Sequence, residues 1–131
     1  MAIPNDLLRA GIAQLSSVEG VEMSPEALVE DVVLLARVWP AEEDFAAAVA
    51  ASARALSQIV ARTVTPSPLK GKLEGWCSYH YQLRRVQGEA AVLRVVFRRH
   101  GDMVEVKGFG HRFKPADVYH RLVFGNPARP R

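Results

Sequence analysis

The stretch Cys77-Ser78-Tyr79-His80-Tyr81-Gln82-Leu83-Arg84, followed after a polar gap by Leu93-Arg94-Val95-Val96-Phe97-Arg98, decides the fold. In the first run Cys77, Tyr79, Tyr81 and Leu83 alternate with Ser78, His80, Gln82 and Arg84. In the second, Leu93, Val95 and Phe97 alternate with Arg94, Val96 and Arg98. A period of two sends successive side chains to opposite faces, so each run reads as a strand with one apolar and one polar face. Residues 86–90 form the turn between them, and His100-Gly101-Asp102 forms a second. Residues 103–109 then make a third strand, with Val104 and Val106 on the apolar side and Glu105 and Lys107 on the other. The result is an antiparallel meander that must cover its apolar face with helices.

Upstream of the meander the pattern is helical. Asn5 is placed to cap a short helix carrying Leu7, Leu8, Ile12 and Leu15, which Ser16-Ser17-Val18-Glu19-Gly20 breaks. Ser24-Pro25-Glu26 starts a second helix, because a serine oxygen accepts the first orphan amides and proline at the first helical position has no amide to lose. It should run over residues 25–38, although residues 32–39, short, apolar and β-branched at one end, also fit a buried strand. Residues 41–62 form the most regular helix. Glu42, Glu43 and Asp44 stand in its first turn, and Phe45, Val49, Leu56, Ile59 and Val60 recur at helical spacing as a core stripe. Thr65-Pro66-Ser67-Pro68 ends it and reads as the one internal linker.

A chain of 131 residues with 49% hydrophobic and 24% charged side chains is expected to form a single folded domain. Within it, residues 1–64 make an acidic helical part, residues 66–124 a basic sheet part and residues 125–131 a flexible tail. The net charge of +3 hides an asymmetry. Up to Thr63 the chain has four Lys/Arg against nine Asp/Glu, and beyond it thirteen against five. A basic half of this kind attracts polyanions through counterion release and long-range steering; the same charges can also serve only as a solvated face. Cys77 is the single cysteine, which excludes an internal disulfide and a structural thiolate zinc site and fits a reducing cytoplasm. No apolar run is long enough to cross a bilayer, so no membrane partner is expected.

The polar face of the meander carries the candidate chemistry. If Arg98 pairs with Met103, Arg94 falls opposite Lys107, and two facing cations repel unless an anion neutralises them. If Arg85 pairs with Ala91, Gln82 flanks Arg94 on its other side, and His80, Val96 and Glu105 form the neighbouring row. Gly108 and Gly110 bracket Phe109 and would aim His111 and Arg112 at the rim of this face. A short helix over residues 115–122 would pack Val118 and Leu122 inward and bring Tyr119 to the end of the sheet, where it would either pack or stack on a base. There is no Gly-rich phosphate loop, no HExxH motif and no Ser/His/Asp set. The histidines at 80, 100, 111 and 120 form no local ligand pair, so neither a metal nor another cofactor is expected.

The ordered set Pro68-Leu69-Lys70-Gly71, Tyr79-His80-Tyr81-Gln82-Leu83, Leu93-Arg94-Val95-Val96-Phe97-Arg98, Gly110-His111-Arg112 and Val118-Tyr119 resembles the RelE/ParE toxin superfamily of bacterial toxin–antitoxin systems. The resemblance spans residues 66–122. It implies that Arg94 and Arg112 stabilise a scissile phosphate and that Tyr119 orients or stacks on the cleaved nucleotide. His80 and Gln82 stand where the family has lysines; His80 can move a proton near neutral pH and Gln82 cannot. Members of the family begin with a strand before a helical hairpin, whereas the first forty residues here carry no clear opening strand.

The combined expectation is an α+β domain: N-terminal helices packed on a twisted antiparallel sheet of three to four strands, closed by a short C-terminal helix. The function implied is a RelE-like toxin that binds RNA, on the ribosome, and cleaves it without metal by 2′-hydroxyl attack. Its catalytic set is His80, Arg94, Arg112 and Tyr119, and its nucleic-acid-binding set Gln82, Arg84, Arg98, Lys107, His111 and Lys114. The alternative is a non-enzymatic module of the same fold that acts on a protein target such as DNA gyrase. An acidic antitoxin or another acidic protein could also cover the basic face.

Overall fold

Gly20, with φ +85, turns the chain out of its first helix and straight into a strand: Val21–Met23 pairs in parallel with the last strand of the meander. The computed structural model describes residues 2–125. The tail expected over residues 125–131 lies, from residue 126 on, outside the described residues. In chain order the elements are α1 (Asn5–Ser16), β1 (Val21–Met23), α2 (Pro25–Val38), α3 (Glu42–Val60), β2 (Ser67–Pro68), a single 3-10 turn (Gly71–Leu73), β3 (Cys77–Tyr81), β4 (Leu93–His100), β5 (Met103–His111) and α4 (Val118–Phe124).

The helices begin largely where local chemistry places them. Ser24 Oγ accepts the Ala27 N–H at 3.5 Å and Pro25 opens α2. At α1, Pro4 rather than Asn5 takes the cap position, and its carbonyl accepts the Leu7 and Leu8 amides. Residues 32–38 complete α2. Leu28, Val32 and Leu35 all turn inward at helical spacing, while Val33, which strand alternation would have grouped with Leu35, is 38% exposed. Along α3 the buried stripe runs from Phe45 through Val49, Ser52 and Leu56 to Ile59.

The sheet has five strands in the order β1-β5-β4-β3-β2. Two of them escaped the sequence because they are too short to show a period: β1 has three residues and β2 two. The supposed linker is therefore part of the sheet, with Ser67 opposite Ser78 and Pro68 opposite Cys77, at the edge where a proline costs no ladder bond. One face of the sheet packs on α1, α2 and α3. Leu93, Val95 and Phe97 of β4, Val104, Val106 and Phe109 of β5 and Tyr81 of β3 share one buried cluster with Val32, Leu35, Phe45, Leu56 and Ile59.

The expected alternation holds, and Arg94 lies on the face opposite these residues. The register differs from expectation. His100, not Arg98, faces Met103 across the tight turn at Gly101, which has φ +63. Val96 then faces Gly108 and Phe97 faces Val106, so Lys107 is an extra residue bulged out of the ladder. Arg94 consequently stands opposite Gly110, not Lys107, and Val96 lies between Ser78 and Gly108 rather than between His80 and Glu105.

Candidate nucleic-acid site on the open face of the sheet

The candidate site is assembled by strand register. His80 stands opposite Arg94, and Arg94 opposite Gly110. The strand pairing continues one step past β5, where the Arg112 N–H donates to Val92 O at 2.7 Å, which keeps Arg112 on the same face. The segment from Gly110 to Arg112 is thus strand and strand end, not a free turn.

α4 supplies the rest. Asp117 caps it, its Oδ1 accepting the Tyr119 and His120 amides at 2.9 and 3.4 Å, while its Oδ2 lies 2.5 Å from Arg112 Nη1. Tyr119 extends over the sheet so that its hydroxyl is 2.8 Å from that of buried Ser78 and its ring is 4.7 Å from the Arg112 guanidinium. Arg112 also lies 4.7 Å from the ring of Phe113, which is 66% exposed. The four candidate catalytic side chains His80, Arg94, Arg112 and Tyr119 therefore share one face, with Ser78 and Asp117 as supports.

The electrostatics suit proton transfer. Partial burial and the positive fields of Arg94 and Arg112 lower the His80 pKa below its ordinary value, which favours the neutral imidazole. Arg94 Nη1 donates to Leu93 O at 3.0 Å and to Ala91 O, and its Nε is buried with no hydrogen-bond partner among the described residues. A buried donor without an acceptor is costly.

Of the residues expected to bind nucleic acid, several have other work. The Gln82 side chain donates to Val86 O and Glu89 O at 2.8 and 2.7 Å and accepts from the Val86 N–H, holding the β3–β4 loop together. Arg84 pairs with Asp44 at the start of α3, on the helical side of the molecule. His111 packs against Trp39 and accepts the Phe113 and Lys114 amides on Nδ1, so it organises the loop before α4. Burial and the charges of Lys114 and Arg94 lower its pKa. Lys114 is exposed on that loop. Arg98 pairs with Glu105 at 2.8 Å and lies 4.3 Å from the ring of Trp76, with Lys107 5.0 Å from the same ring. These two remain on the open face, beside an aromatic plane that strand alternation alone did not single out.

The close seat of α4 explains the glycines of β5. A Cβ at Gly108 would come within 2.3 Å of Leu122 Cδ2, and one at Gly110 within 2.6 Å of Arg121 Nη2. Glycine here admits the helix to the sheet; it does not swing His111 and Arg112. Beyond the end of β1, the edge of β5 is closed by side chains instead of a strand. The Phe109 N–H donates to Asp31 Oδ2 at 3.0 Å, Arg121 Nη2 donates to Phe109 O at 2.9 Å, and Arg121 Nη1 meets Asp31 Oδ1 at 2.8 Å. The signal for Asp117 was readable in the sequence as an aspartate just before Val118, a common N-cap. Ser78, Asp31 and Arg121 left no such signal.

The chain matches no protein-family profile, no curated protein and no solved structure. Among the described residues no helix is long and apolar enough to cross a membrane, and no group of His, Cys, Asp and Glu side chains is gathered as metal ligands.

Proposed function

We propose that this protein is an endoribonuclease of RelE-like type, acting in the cytoplasm on RNA at the ribosome and cleaving it without a metal ion. The observation that carries the proposal is the convergence of His80, Arg94 and Arg112 on one open face, with the Tyr119 ring beside Arg112. RNA contains its own nucleophile. His80 takes the proton of a ribose 2′-hydroxyl, the 2′-oxygen attacks the adjacent phosphorus, and the P–O5′ bond breaks to leave a 2′,3′-cyclic phosphate. The departing 5′-oxygen takes its proton from water. Arg94 and Arg112 neutralise the charge that builds on the phosphorane oxygens, and Tyr119 holds a neighbouring base.

The order of elements also supports the reading: β1 precedes the α2–α3 helix pair, as the opening strand precedes the helical hairpin in the family that the basic half resembles. The test is RNA cleavage in the presence of a chelator, on free and translating messenger RNA, by the wild type and Arg112→Ala. Loss of a donor aimed at developing charge should slow cleavage on the order of 100-fold or more. A wild-type protein that cuts neither substrate would overturn the proposal. If that protein also arrests growth, the gyrase-type alternative takes its place.

A further inference from the structure

A second cleft opens on the other side of His80, at the free edge of β3, and nothing in the proposed reaction uses it. Its volume is about 280 Å³, and it lies between α3 and the strand edge, with Ala51, Ala55 and the Tyr79 ring among its walls. Tyr79 is itself stacked on Tyr81, the rings 6.1 Å apart and inclined by 12°, which fixes a flat aromatic surface there. The cleft is smaller than the roughly 300–1,000 Å³ usual for drug-sized ligands and suits a single base.

Gln82 and Tyr81 in its lining are already bonded within the protein, to the β3–β4 loop and to Ser52, but three other polar side chains are uncommitted. Arg54, Gln58 and Arg85 line it, and none of their side chains has a hydrogen bond or ion pair among the described residues. The strand edge adds a donor and an acceptor. The Leu69 N–H donates to Trp76 O at 2.9 Å, so Trp76 turns its backbone toward β2, and with it Ser78 and His80 two and four residues on. The pairing of β2 ends at Ser67 opposite Ser78, which leaves the His80 amide and carbonyl at the cleft without a strand partner among the described residues.

We infer that this cleft binds the base of a nucleotide next to the scissile phosphate, and that it selects guanine. The role rests on the nuclease reading, because His80 places the cleft and the reacting phosphate on either side of one residue. A base splayed out of single-stranded RNA presents its edges to such a site. Guanine offers O6 and N7 as a pair of acceptors suited to an arginine fork, and N1–H and N2–H as donors. Two arginines, an amide and the His80 N–H supply the donors, and the His80 carbonyl supplies the acceptor. Cytosine and adenine present an amino donor where guanine presents O6, and meet a cation-rich wall with the wrong group. The same surplus of donors disfavours an extended peptide, which would need a longer free strand edge than the one residue left here.

The experiment is a titration of the full, isotope-labelled chain with each of the four ribonucleoside monophosphates and with inorganic phosphate, followed by amide NMR. Guanosine monophosphate should shift the His80 backbone amide and the Gln58 side-chain amide and bind on the order of tenfold or more tighter than the cytidine and adenosine compounds. Phosphate alone should leave the Gln58 signal in place. Gln58→Ala and Arg85→Ala, both away from the core, should each weaken guanosine binding by about tenfold while the amide spectrum stays folded. Equal affinity for all four bases, or no response at Gln58, overturns the inference, as does displacement of the nucleotide by an acidic extended peptide that binds more tightly. Guanosine binding by a protein that cuts no RNA would keep the cleft and remove the nuclease, whereas RNA cleavage with no base preference and no Gln58 response would do the reverse.

Discussion

The hydroxyl of Tyr119 on α4 lies 2.8 Å from that of Ser78 on β3, joining two elements 41 residues apart across the open face of the sheet. Ser78 is 1% exposed, so Tyr119 is its means of satisfying a buried hydroxyl, and the same contact fixes the ring beside Arg112. The two functions separate by mutation. Tyr119→Phe keeps the ring and strands the serine, and should cost about 1 kcal/mol of stability in a denaturant titration with cleavage changed only a few-fold. Tyr119→Ala removes the ring as well and should slow cleavage by on the order of tenfold or more, a typical loss when a stacking partner goes. Equal cleavage by the two variants would show that the ring has no part in catalysis.

A second prediction comes from the position of His80 opposite Arg94 and within the positive field of Arg112. Its pKa is lowered, first by burial and then by Arg94 and Arg112. As a base it must be neutral, so kcat/KM should fall as pH drops through a value below the usual 6.5 of histidine and stay level above it. Replacing Arg94 with glutamine removes one positive field, and the His80 pKa should move up toward its ordinary value. Titration of the imidazole C–H resonances reads that shift without any reliance on activity. An unchanged pKa in Arg94→Gln would mean that the two side chains do not face one another as the register requires.

The core of the meander and the α2 and α3 helices were legible because their periods extend over many residues, as in Leu93-Val95-Phe97 and in the Phe45 to Ile59 stripe. The register was not. It depended on the bulge at Lys107 and on the tight turn at Gly101, and neither changes the alternation of Val104 and Val106 from which the strand was recognised. Arg94 still reaches the right face, because the face is set by parity; its neighbour is wrong, because the neighbour is set by count. β1 was missed for a different reason: three residues recruited to a sheet edge by tertiary pairing carry no signal of their own. The same holds for Asp31 and Arg121, whose partners lie 90 residues apart, and for Gln82, whose amide looked free until the loop it binds was in place.

Salt dependence should separate the cations that face RNA from those that do not. Lys107 lies on the open face beside Trp76 with no ion pair among the described residues, whereas Arg84 is paired with Asp44 beside α3. Each phosphate contact removed lowers the slope of log affinity against log salt by roughly one unit. Lys107→Ala should therefore flatten the slope for a single-stranded RNA by about that amount, and Arg84→Ala should leave it as it is. Arg98 is the intermediate case, because binding a phosphate would require it to leave Glu105, whose carboxyl it holds below its ordinary pKa. Fluorescence titrations at several salt concentrations give all three slopes, and a larger loss at Arg84 than at Lys107 would put the RNA on the wrong side of the sheet.

The last prediction concerns the ion pair that holds α4 in place. Asp31 and Arg121 are 2% and 3% exposed, and between them they bond both backbone groups of Phe109 on the uncovered edge of β5. Burial raises the Asp31 pKa from 3.8 to about 6, with Arg121 and the Phe109 amide drawing it back down. Between those two values the native state therefore holds a proton that the unfolded chain has lost, and this group's contribution to stability declines as pH rises from about 4 to about 6. Replacing Arg121 with leucine strips the carboxylate of its counter-charge and should cost about 3–5 kcal/mol at pH 7, as breaking buried pairs does. The loss should shrink at about pH 5, where Asp31 can be protonated, and the decline of stability with pH should extend to higher pH than in the wild type. Removing both charges, in Asp31→Asn with Arg121→Leu, should recover much of that loss at pH 7 and flatten its pH dependence, because an amide can still accept the Phe109 N–H without carrying a charge into the interior. Denaturant midpoints for the wild type, the single variant and the double variant at the two pH values decide it. A single variant as stable as the wild type at neutral pH would mean that α4 is held by Val118 and Leu122 alone and that the buried pair adds nothing to its attachment.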